Sequence, residues 1–446
     1  MLFRCYLTII YTSLLSFALI SCGGGSSTTT PKTEEVTVTP PATNTFSTQV
    51  IYRNACDMAI PSEGAKLLIH DDDFDVIDVI TADDNGFLTY ETTDETIDVS
   101  IIFGQKDNYD DYVIKAITLM QSPVTQVAPI YQSTFSTEGC HCETIEPELI
   151  SNDIQLPANK TTFNTLNSNI HYRVKKTEIG TKFNANLCQL ENGSWPAIYS
   201  TLWFWQQEEL HGIVIDDYQI EDLYEGEQIF VSEKASNLNY SVSNMENEED
   251  VKISLKGILD ETMYVNQSSS LVFESFPMDF YQFSASHYES YPIENSLYLM
   301  KVTQNNTKLI NDINTEISFV IPEYSDQLII ETLTHEDGRY DLTSFDKIKV
   351  FSQYIMFQYT NGYLVDWEYY GPEIGTSISD KKLDISQIFD VESLDIYSVF
   401  LETISGFGID SINNYEDYIK KVKLNKRYYS IGSETENISS FSIQSY

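Results

Sequence analysis

Basic residues are scarce in this chain of 446 residues. It contains 26 lysine and arginine residues against 67 aspartate and glutamate residues, which gives a formal net charge of −41 at pH 7. An acidic surface of this strength repels phosphate backbones and anionic lipid head groups. We therefore predict no nucleic-acid partner, and solubility at a crowded cell surface explains the acidity more simply than a specific cationic partner does.

Familiar catalytic motifs are absent from the sequence. It contains no G-x-S-x-G nucleophile elbow, no H-E-x-x-H zinc motif, no glycine-rich phosphate loop and no dinucleotide-binding fingerprint. Enzymes whose catalytic residues are scattered along the chain carry no such motif, so a surface polysaccharide hydrolase stays open as an alternative. It would need two carboxyl groups roughly 5 to 9.5 Å apart, and the sequence cannot select them among 67 acids.

Helix signals are also few, whereas 30 tyrosine and 23 phenylalanine residues favour strands. Short apolar stretches bounded by turn residues recur along the chain, and the stretch from Leu328 to Leu333 is one of these predicted strands. The exception is Asn414 to Lys423, where Asn414 is placed to cap a helix with one apolar face. We predict an all-β fold of several antiparallel β-sandwich-like domains in tandem.

The N-terminus carries an export signal. The apolar stretch from Tyr6 to Ile20 follows Arg4 and is too short and too polar to span a bilayer comfortably. Its end, Leu19-Ile20-Ser21-Cys22, resembles the lipobox of bacterial lipoproteins. The resemblance implies cleavage before Cys22 and acylation of its sulfur and amino group, and two or three acyl chains make a durable membrane anchor.

The next residue, Gly23, favours the outer membrane, because an aspartate at this position resembles an inner-membrane retention signal. An ordinary secretory signal or an uncleaved anchor is the alternative.

The following residues are rich in glycine, serine, threonine and proline, as in a flexible tether. We predict a signal peptide at 1–21, the lipidated cysteine and tether at 22–45, a first β-sandwich at 46–142, a second β domain at 143–268 and a C-terminal β region, of one or two subdomains, at 269–446.

Two pieces of the first module carry a family resemblance. Pro61 is followed by Gly64-Ala65-Lys66-Leu67-Leu68-Ile69, and later by Thr81-Ala82-Asp83-Asp84-Asn85-Gly86-Phe87, whose Asn85-Gly86 pair predicts a β-hairpin. This order resembles the carboxypeptidase regulatory-like and prealbumin-like β-sandwich modules. The resemblance implies a small Greek-key sandwich that acts as a spacer or binding appendage rather than as a catalyst.

Four cysteines follow the lipobox, in the oxidising setting that export implies. A bridge between Cys140 and Cys142 would close a very tight ring. We therefore expect Cys56 to pair with one of these two cysteines and Cys188 to pair with the other. A metal site at Cys140-His141-Cys142 is the weaker alternative, because it lacks a fourth ligand and the usual spacing.

Acidic clusters raise a calcium hypothesis. Asp71, Asp73 and Asp75 have the spacing of a calcium loop, but Val76 and Ala82 stand where such a loop needs glycine and glutamate. A second cluster comprises Asp107, Asp110 and Asp111. We expect charged hairpin tips at both places and no cofactor, with a calcium-dependent adhesin as the alternative.

One E-x-x-H spacing runs from Glu208 to His211. Such spacings bind metals when two copies face each other in a helix bundle, and here one copy lies in a predicted strand region. We expect a surface turn with a solvated histidine rather than a metal ligand.

Aromatic residues form two groups that suit either a core or a stacking surface for sugars. Trp203 and Trp205 share one face of a predicted strand, where core packing is the favoured interpretation. The second group comprises Tyr363, Trp367, Tyr369 and Tyr370. Together these features predict an outer-membrane lipoprotein that acts as a non-catalytic binding or scaffolding module for a protein or glycan partner.

Overall fold

The computed structural model describes residues 43–106, 112–134, 136–154, 158–165, 170, 172–204, 206–207, 209–216, 218–238, 240–243, 252–256, 263–265, 270–276, 282–292, 299–309, 317–335, 337–359, 364–377, 383, 396–421 and 437–445. The predicted lipidation site at Cys22 and most of the predicted tether lie outside these ranges.

Strands dominate the described residues, which confirms the predicted all-β class. The first are β1 (Asn44–Arg53), β2 (Ala59–Pro61), β3 (Lys66–His70), β4 (Val76–Thr81), β5 (Phe87–Thr92), β6 (Thr96–Lys106), β7 (Tyr112–Pro123), β8 (Ile130–Ser133), β9 (Cys142–Ile145), β10 (Glu148–Ser151), β11 (Lys160–Thr165), β12 (Tyr172–Lys176), β13 (Thr181–Cys188), β14 (Ile198–Phe204), β15 (Glu209–Ile215), β16 (Gln228–Val231) and β17 (Glu233–Lys234).

The chain continues with β18 (Ser236–Leu238), β19 (Tyr240–Ser243), β20 (Lys252–Lys256), β21 (Met263–Val265), β22 (Ser270–Val272), β23 (Gln282–Pro292), β24 (Leu299–Leu309), β25 (Ile317–Val320), β26 (Arg339–Asp341), β27 (Val350–Tyr359), β28 (Leu364–Gly371), β29 (Ile374–Thr376), β30 (Ile396–Ile409) and β31 (Asn437–Ser445). A 3-10 helix (Ile220–Leu223) and the α-helices α1 (Asp326–Leu333) and α2 (Tyr415–Lys421) complete the described elements. In the described ranges, no helix has the length and apolar character needed to cross a bilayer.

The helix predicted from Asn414 to Lys423 is confirmed over Tyr415–Lys421, which form α2, and positions 422 and 423 lie outside the described residues. Its cap is formed by Asn414, whose side-chain oxygen accepts a hydrogen bond of 2.9 Å from the backbone N–H of Asp417. Tyr418 and Ile419 are buried on the face that packs into the protein.

The strand predicted from Leu328 to Leu333 is wrong, because these residues belong to α1. Ile329 and Leu333 are four positions apart and both are buried, whereas Leu328 is 38% exposed. That spacing places the two buried side chains on one helix face. The β-branched pair Ile329-Ile330 favours a strand locally, and packing of the helical face outweighs this local preference.

A twelve-stranded sheet forms the centre of the fold. Its strand order is β21-β20-β23-β24-β31-β30-β27-β28-β7-β6-β3-β4. Neighbouring strands in it are antiparallel except β28 and β7, which run parallel from the pair Leu364 and Val113 to the pair Tyr370 and Leu119. This one pairing joins strands of the predicted first module to strands of the predicted C-terminal region within a single sheet.

One face of this sheet packs against a four-stranded sheet, in which β2, β5 and β8 all pair with β1. The core between them contains Phe46 and Val50 from β1 and Ile101 from β6, all fully buried, and α2 packs into the same core. Two sheets that enclose a common apolar core form a β-sandwich-like arrangement. The opposite face is covered by α1 and by the segment around Tyr340, whose ring stacks on Phe351 at 3.7 Å.

A second sandwich-like core lies between two smaller sheets. A five-stranded sheet has the order β12-β13-β10-β16 with β9 beside β13, and a four-stranded sheet has the order β11-β14-β15-β17. Phe163 of β11 and Phe183 of β13 meet across the core with ring centroids 4.9 Å apart. Leu149, Leu202 and Phe204 are buried in the same cluster. This core packs the five-stranded sheet against the four-stranded sheet.

The hairpin predicted at Asn85-Gly86 is wrong, although the turn itself is present. The Asp83 side chain accepts hydrogen bonds from the backbone N–H groups of Asn85 and Phe87, and Gly86 has a φ of 76°. However, β4 pairs with β3 in the large sheet, and β5 pairs with β1 in the four-stranded sheet. The chain therefore changes sheets here, and the Gly86 carbonyl accepts a hydrogen bond from the backbone N–H of Val50.

Candidate functional site

Two disulfides lie side by side where the first strands meet the five-stranded sheet. Cys56 pairs with Cys140, and Cys142 pairs with Cys188, with Cα atoms 5.9 Å and 4.0 Å apart. This is one of the two arrangements that the sequence left open. Cys142 and Cys188 also face each other in the ladder between β9 and β13. The bridges therefore tie the segment after β1 to the sheet that contains β12.

Of the two interpretations, core packing holds for Trp367 and Tyr369 and the possible stacking role does not, because both side chains are buried. Trp367 is 2% exposed, and its indole N–H donates a hydrogen bond of 2.9 Å to the Thr118 hydroxyl. Tyr369 is fully buried, and its hydroxyl donates to the Thr376 carbonyl. A ligand in solvent has no access to either ring.

The other predicted aromatics have mixed placements. Tyr370 is half-buried, with its ring 5.7 Å from that of Tyr418. Trp203 is half-buried near the end of β14, on the opposite face of the strand from the buried side chains of Leu202 and Phe204. Trp205 and Tyr363 lie outside the described residues. Of the six candidates, Tyr370 and Trp203 therefore keep partial solvent access in the described part of the chain.

The first acidic cluster forms a hairpin tip between β3 and β4. A carboxylate oxygen of Asp71 accepts hydrogen bonds from the backbone N–H groups of Asp73 and Asp75, at 3.0 and 2.9 Å. This carboxylate thus stabilises its own turn. Among the described residues, no group of three or more His, Cys, Asp or Glu side chains is arranged to hold a metal ion. The second cluster, Asp107, Asp110 and Asp111, lies outside the described residues, as does Glu208.

The solvated surface turn predicted at His211 is wrong, because His211 is fully buried in β15. One ring nitrogen, Nε2, lies 3.0 Å from a Glu209 carboxylate oxygen, and Nδ1 lies 3.3 Å from the Ser151 hydroxyl. Hydrogen bonds from Lys234 and His211, in that order, lower the pKa of Glu209. Sequence spacing missed this contact because Ser151 lies 60 positions away.

Serine, histidine and glutamate together suggest a hydrolase triad, but the geometry is that of a structural contact. In such triads the serine pairs with Nε2 and the acid with Nδ1, which is the reverse of the order here. The Ser151 oxygen already accepts hydrogen bonds from the backbone N–H groups of Asp153 and Ile154. Ser151 is also 2% exposed, so a substrate carbonyl has no path to it.

A second buried histidine, His70, begins a chain of hydrogen bonds across the large sheet. Its Nδ1 lies 3.2 Å from the Phe74 carbonyl, and its Nε2 lies 2.7 Å from the Ser100 hydroxyl. Ser100 contacts the Thr118 hydroxyl at 2.6 Å, and the Trp367 indole N–H donates to Thr118. A carbonyl only accepts and an indole N–H only donates, so Nδ1 carries a proton and Thr118 accepts from Trp367. With His70 neutral, Thr118 donates to Ser100 and Ser100 donates to Nε2, and every group in the chain has a partner.

Two carboxylates meet at one phenol beside α1. The Tyr291 hydroxyl lies 2.8 Å from a carboxylate oxygen of Glu289 and 2.8 Å from one of Asp326. These two oxygens are therefore no more than twice that distance apart, a separation that reaches the range used by glycoside hydrolases. Burial, reinforced by the hydrogen bonds to Asp326 and Glu289, raises the pKa of Tyr291. Because this protonated phenol fills the space between the acids, the pair has no room there for a scissile bond.

The solvent side of the five-stranded sheet carries the most distinctive surface in the described residues. Side chains directly opposite in neighbouring strands lie on the same face. The ladder aligns Lys175 with Lys182, Lys182 with Glu148, and Glu148 with Gln228. Arg173 and Phe230 are each two residues from a member of this row and lie on the same face. We call this surface the outer face, defined by Arg173, Lys175, Lys182, Glu148, Gln228 and Phe230.

The two ends of the outer face differ in chemistry. At the β12 end, Arg173 and Lys175 are exposed. At the β16 end, Phe230 is 55% exposed. Glu148 between them accepts a hydrogen bond of 3.2 Å from the Gln228 side-chain amide. The face thus combines cations at one edge with an aromatic anchor at the other, on a sheet held by a packed core.

Sequence reasoning overlooked this face, because Arg173, Lys175 and Lys182 are spread over two strands and Phe230 lies about fifty positions further on. The alternation of buried and exposed residues in β13 was the available signal. Comparisons of the chain with protein-family models, with curated proteins and with solved structures found no match.

Proposed function

We propose that this protein is a lipoprotein, anchored through Cys22 to the outer membrane, that binds or scaffolds a partner without catalysing a reaction. The anchor is supported by the lipobox-like sequence Leu19-Ile20-Ser21-Cys22 and by the Gly23 that follows it. The binding role rests on one observation, which is the outer face and its exposed Phe230 and Arg173.

The residue types on this face are those that protein interfaces use. Aromatic residues and arginine are enriched at interfaces and supply much of their binding energy. When a partner buries a half-exposed phenylalanine, the complex is stabilised by about 25 cal/mol per Å² of apolar area removed from water. Cations near it set orientation and association rate.

The setting of the face also suits presentation. Its strands are supported by the core around Phe163 and Phe183 and are tied to the first strands by the two disulfides. A rigid platform loses little conformational entropy on binding. We place it on a flexible tether, which allows it to reorient above the membrane.

The anchor is tested by Cys22→Ala. We expect wild-type protein to partition into the detergent phase and the variant to move to the aqueous phase, because the acyl chains supply the membrane affinity. Intact mass spectrometry should show the added lipid on wild type alone. Equal partitioning of the two proteins would contradict the proposed anchor.

The binding role is tested with a photo-crosslinking amino acid at Phe230 in cells that make the full chain. We expect a discrete adduct at Phe230 and none at Ile374, an exposed control position on β29 that is 57% exposed. For a glycan partner, the purified protein should bind members of a glycan array, and Phe230→Ala should weaken that binding about tenfold. Identical crosslinking at both positions together with an empty array would refute the proposal.

A further inference from the structure

We propose that β12 receives an acidic, extended segment of a partner protein as an additional strand of the five-stranded sheet. This inference rests on the proposed binding function and names the chemistry of the partner. Strand addition supplies affinity through backbone hydrogen bonds, and side chains at every second position supply specificity.

The geometry of β12 is that of an open edge. Within the part of the chain that the structure describes, β13 is the one strand paired with β12. Four consecutive residues of β12, from Arg173 to Lys176, are all exposed, so both sides of the strand face solvent. The five register pairs with β13 continue without a shift. A regular edge presents evenly placed N–H and C=O groups that a further strand can pair with.

The edge strand β4, at one end of the large sheet, is irregular where β12 is regular. Its ladder with β3 shifts register between Ile69 and His70, and Ile77 is the extra residue. The carboxylate of Asp78 accepts a hydrogen bond from the backbone N–H of Val79 at this edge. A bulge of this kind discourages strand addition. β12 has no bulge, and its cations repel a second cationic edge but attract an acidic strand.

The charges on β12 are available to a partner. Between residues 172 and 182 the chain has four basic residues and one acidic residue, Glu178, although its overall charge is −41. In the described structure no salt bridge involves Arg173, Lys175 or Lys182. Lys175 and Lys182 stand directly opposite each other, so each raises the positive potential at the other. Glu148 stands opposite Lys182 in the next strand, whereas a carboxylate on an added strand would stand beside Lys175.

The same charges select the occupant. A second copy of β12 would bring Arg173 and Lys175 against the same residues of its neighbour, which costs free energy. A strand with Glu or Asp at alternate positions places its carboxylates on the side of Arg173 and Lys175. Backbone pairing at a regular edge requires a peptide, and this favours a protein segment over an anionic polysaccharide. The occupant is therefore an acidic peptide strand.

The test uses the full chain with intact disulfides and a blocked, fluorescent peptide of about twelve residues that alternates glutamate and threonine. We expect fluorescence anisotropy to show saturable binding that weakens in about 0.5 M salt. A peptide with lysine in place of glutamate should not bind. The double variant Arg173→Gln, Lys175→Gln should bind the acidic peptide about tenfold more weakly. The matched control Arg339→Gln, Lys421→Gln removes two exposed cations elsewhere and should bind within about twofold of wild type.

Strand addition is separated from simple charge attraction by N-methylation of alternate peptide nitrogens on either edge. We expect at least one methylated peptide to lose binding, because its backbone no longer pairs with β12. Equal affinity for all methylated peptides, or for the double variant and wild type, would overturn the proposal. Binding of polyglucuronate or of anionic vesicles but not of the peptide would also overturn it. If crosslinking at Phe230 still yields an adduct in that case, the proposed binding function stands and the inference about β12 fails alone.

Discussion

Replacement of both Cys56 and Cys140 by serine should lower the free energy of unfolding by about 4 kcal/mol. The bridge links positions 84 residues apart, and a cross-link of this span restricts the unfolded chain more than the folded one. Cys56 is buried beside Cys188, and its sulfur lies 3.3 Å from the Asn54 side-chain oxygen, so a serine hydroxyl at position 56 keeps an acceptor and the loss comes mainly from the cross-link. Denaturant unfolding of the two proteins measures the difference.

The second bridge provides the matched comparison. Cys142 and Cys188 are 46 positions apart, so the double serine variant at these positions should lose about 0.5 kcal/mol less than the first variant from chain entropy. Reduction of wild type should reproduce the combined loss. Free-thiol labelling that finds these cysteines reactive in the native protein, or equal stability of all three proteins, would show that the pairing is wrong.

Acidification from pH 7 to pH 4 should reduce the contribution of His70 to stability by about 3 kcal/mol. Burial lowers the pKa of this imidazole from 6.5 to about 4, opposed by the hydrogen bond to the Phe74 carbonyl and by the charge of Asp71. Between these two values the unfolded chain binds a proton that the folded protein excludes. The stabilisation is therefore complete above pH 6.5 and is lost as the pH falls toward 4.

The hydrogen-bond chain explains why protonation of the His70 imidazole at Nε2 is unfavourable in the folded protein. A proton on Nε2 would require Ser100 to accept and to turn its own hydrogen toward Thr118. With His70 neutral, Thr118 accepts from Trp367 and donates to Ser100. The reversal would leave the buried Thr118 hydroxyl hydrogen without this acceptor, which costs about 1 to 3 kcal/mol.

The measurement compares wild type with His70→Gln over this pH range. The difference in unfolding free energy between the two proteins should shrink by about 3 kcal/mol between pH 7 and pH 4. The comparison with a variant is needed because other titrating groups stabilise the protein as the pH falls and so oppose the effect of His70. Burial raises the pKa of Asp98, which lies opposite His70 in the ladder. Protonation of this carboxyl therefore increases the free energy of unfolding as the pH falls. Relief of repulsion among the many carboxylates acts in the same direction as Asp98.

His335→Gln serves as the control, because it removes a histidine that is exposed at the surface beside Asp337. We expect the change in stability difference between pH 7 and pH 4 to be larger for His70→Gln than for His335→Gln, because His70 is buried. A change for His70→Gln no larger than that of the control would contradict the prediction.

Local patterns predicted those elements whose stability depends on near neighbours. The cap at Asn414 and the face of α2 involve contacts within one or two helical turns. The Asp71 turn and the Asp83 turn depend on side chains that bind the backbone two to four residues away. The disulfide prediction followed from exclusion of one strained ring, and it left two arrangements because the sequence does not state which strands are neighbours.

The failures all involve contacts between distant parts of the chain. A good turn at Asn85-Gly86 does not reveal that β4 and β5 belong to different sheets. Trp367 is buried because β28 lies parallel to β7, about 250 positions away, where Thr118 accepts its indole hydrogen. His211 is buried because Ser151 and the core around Phe204 surround it.

The sequence by itself determined the all-β class, the sign and size of the charge, the lipobox-like signal and the cysteines available for bridging, because each depends on composition or on neighbouring residues. The tertiary structure decided which aromatics are buried, which cysteines pair and which strand is left at an edge. It also brought Arg173, Lys175, Lys182 and Phe230 onto one surface. Ladder register governs that surface, and register depends on long-range packing that no local pattern encodes.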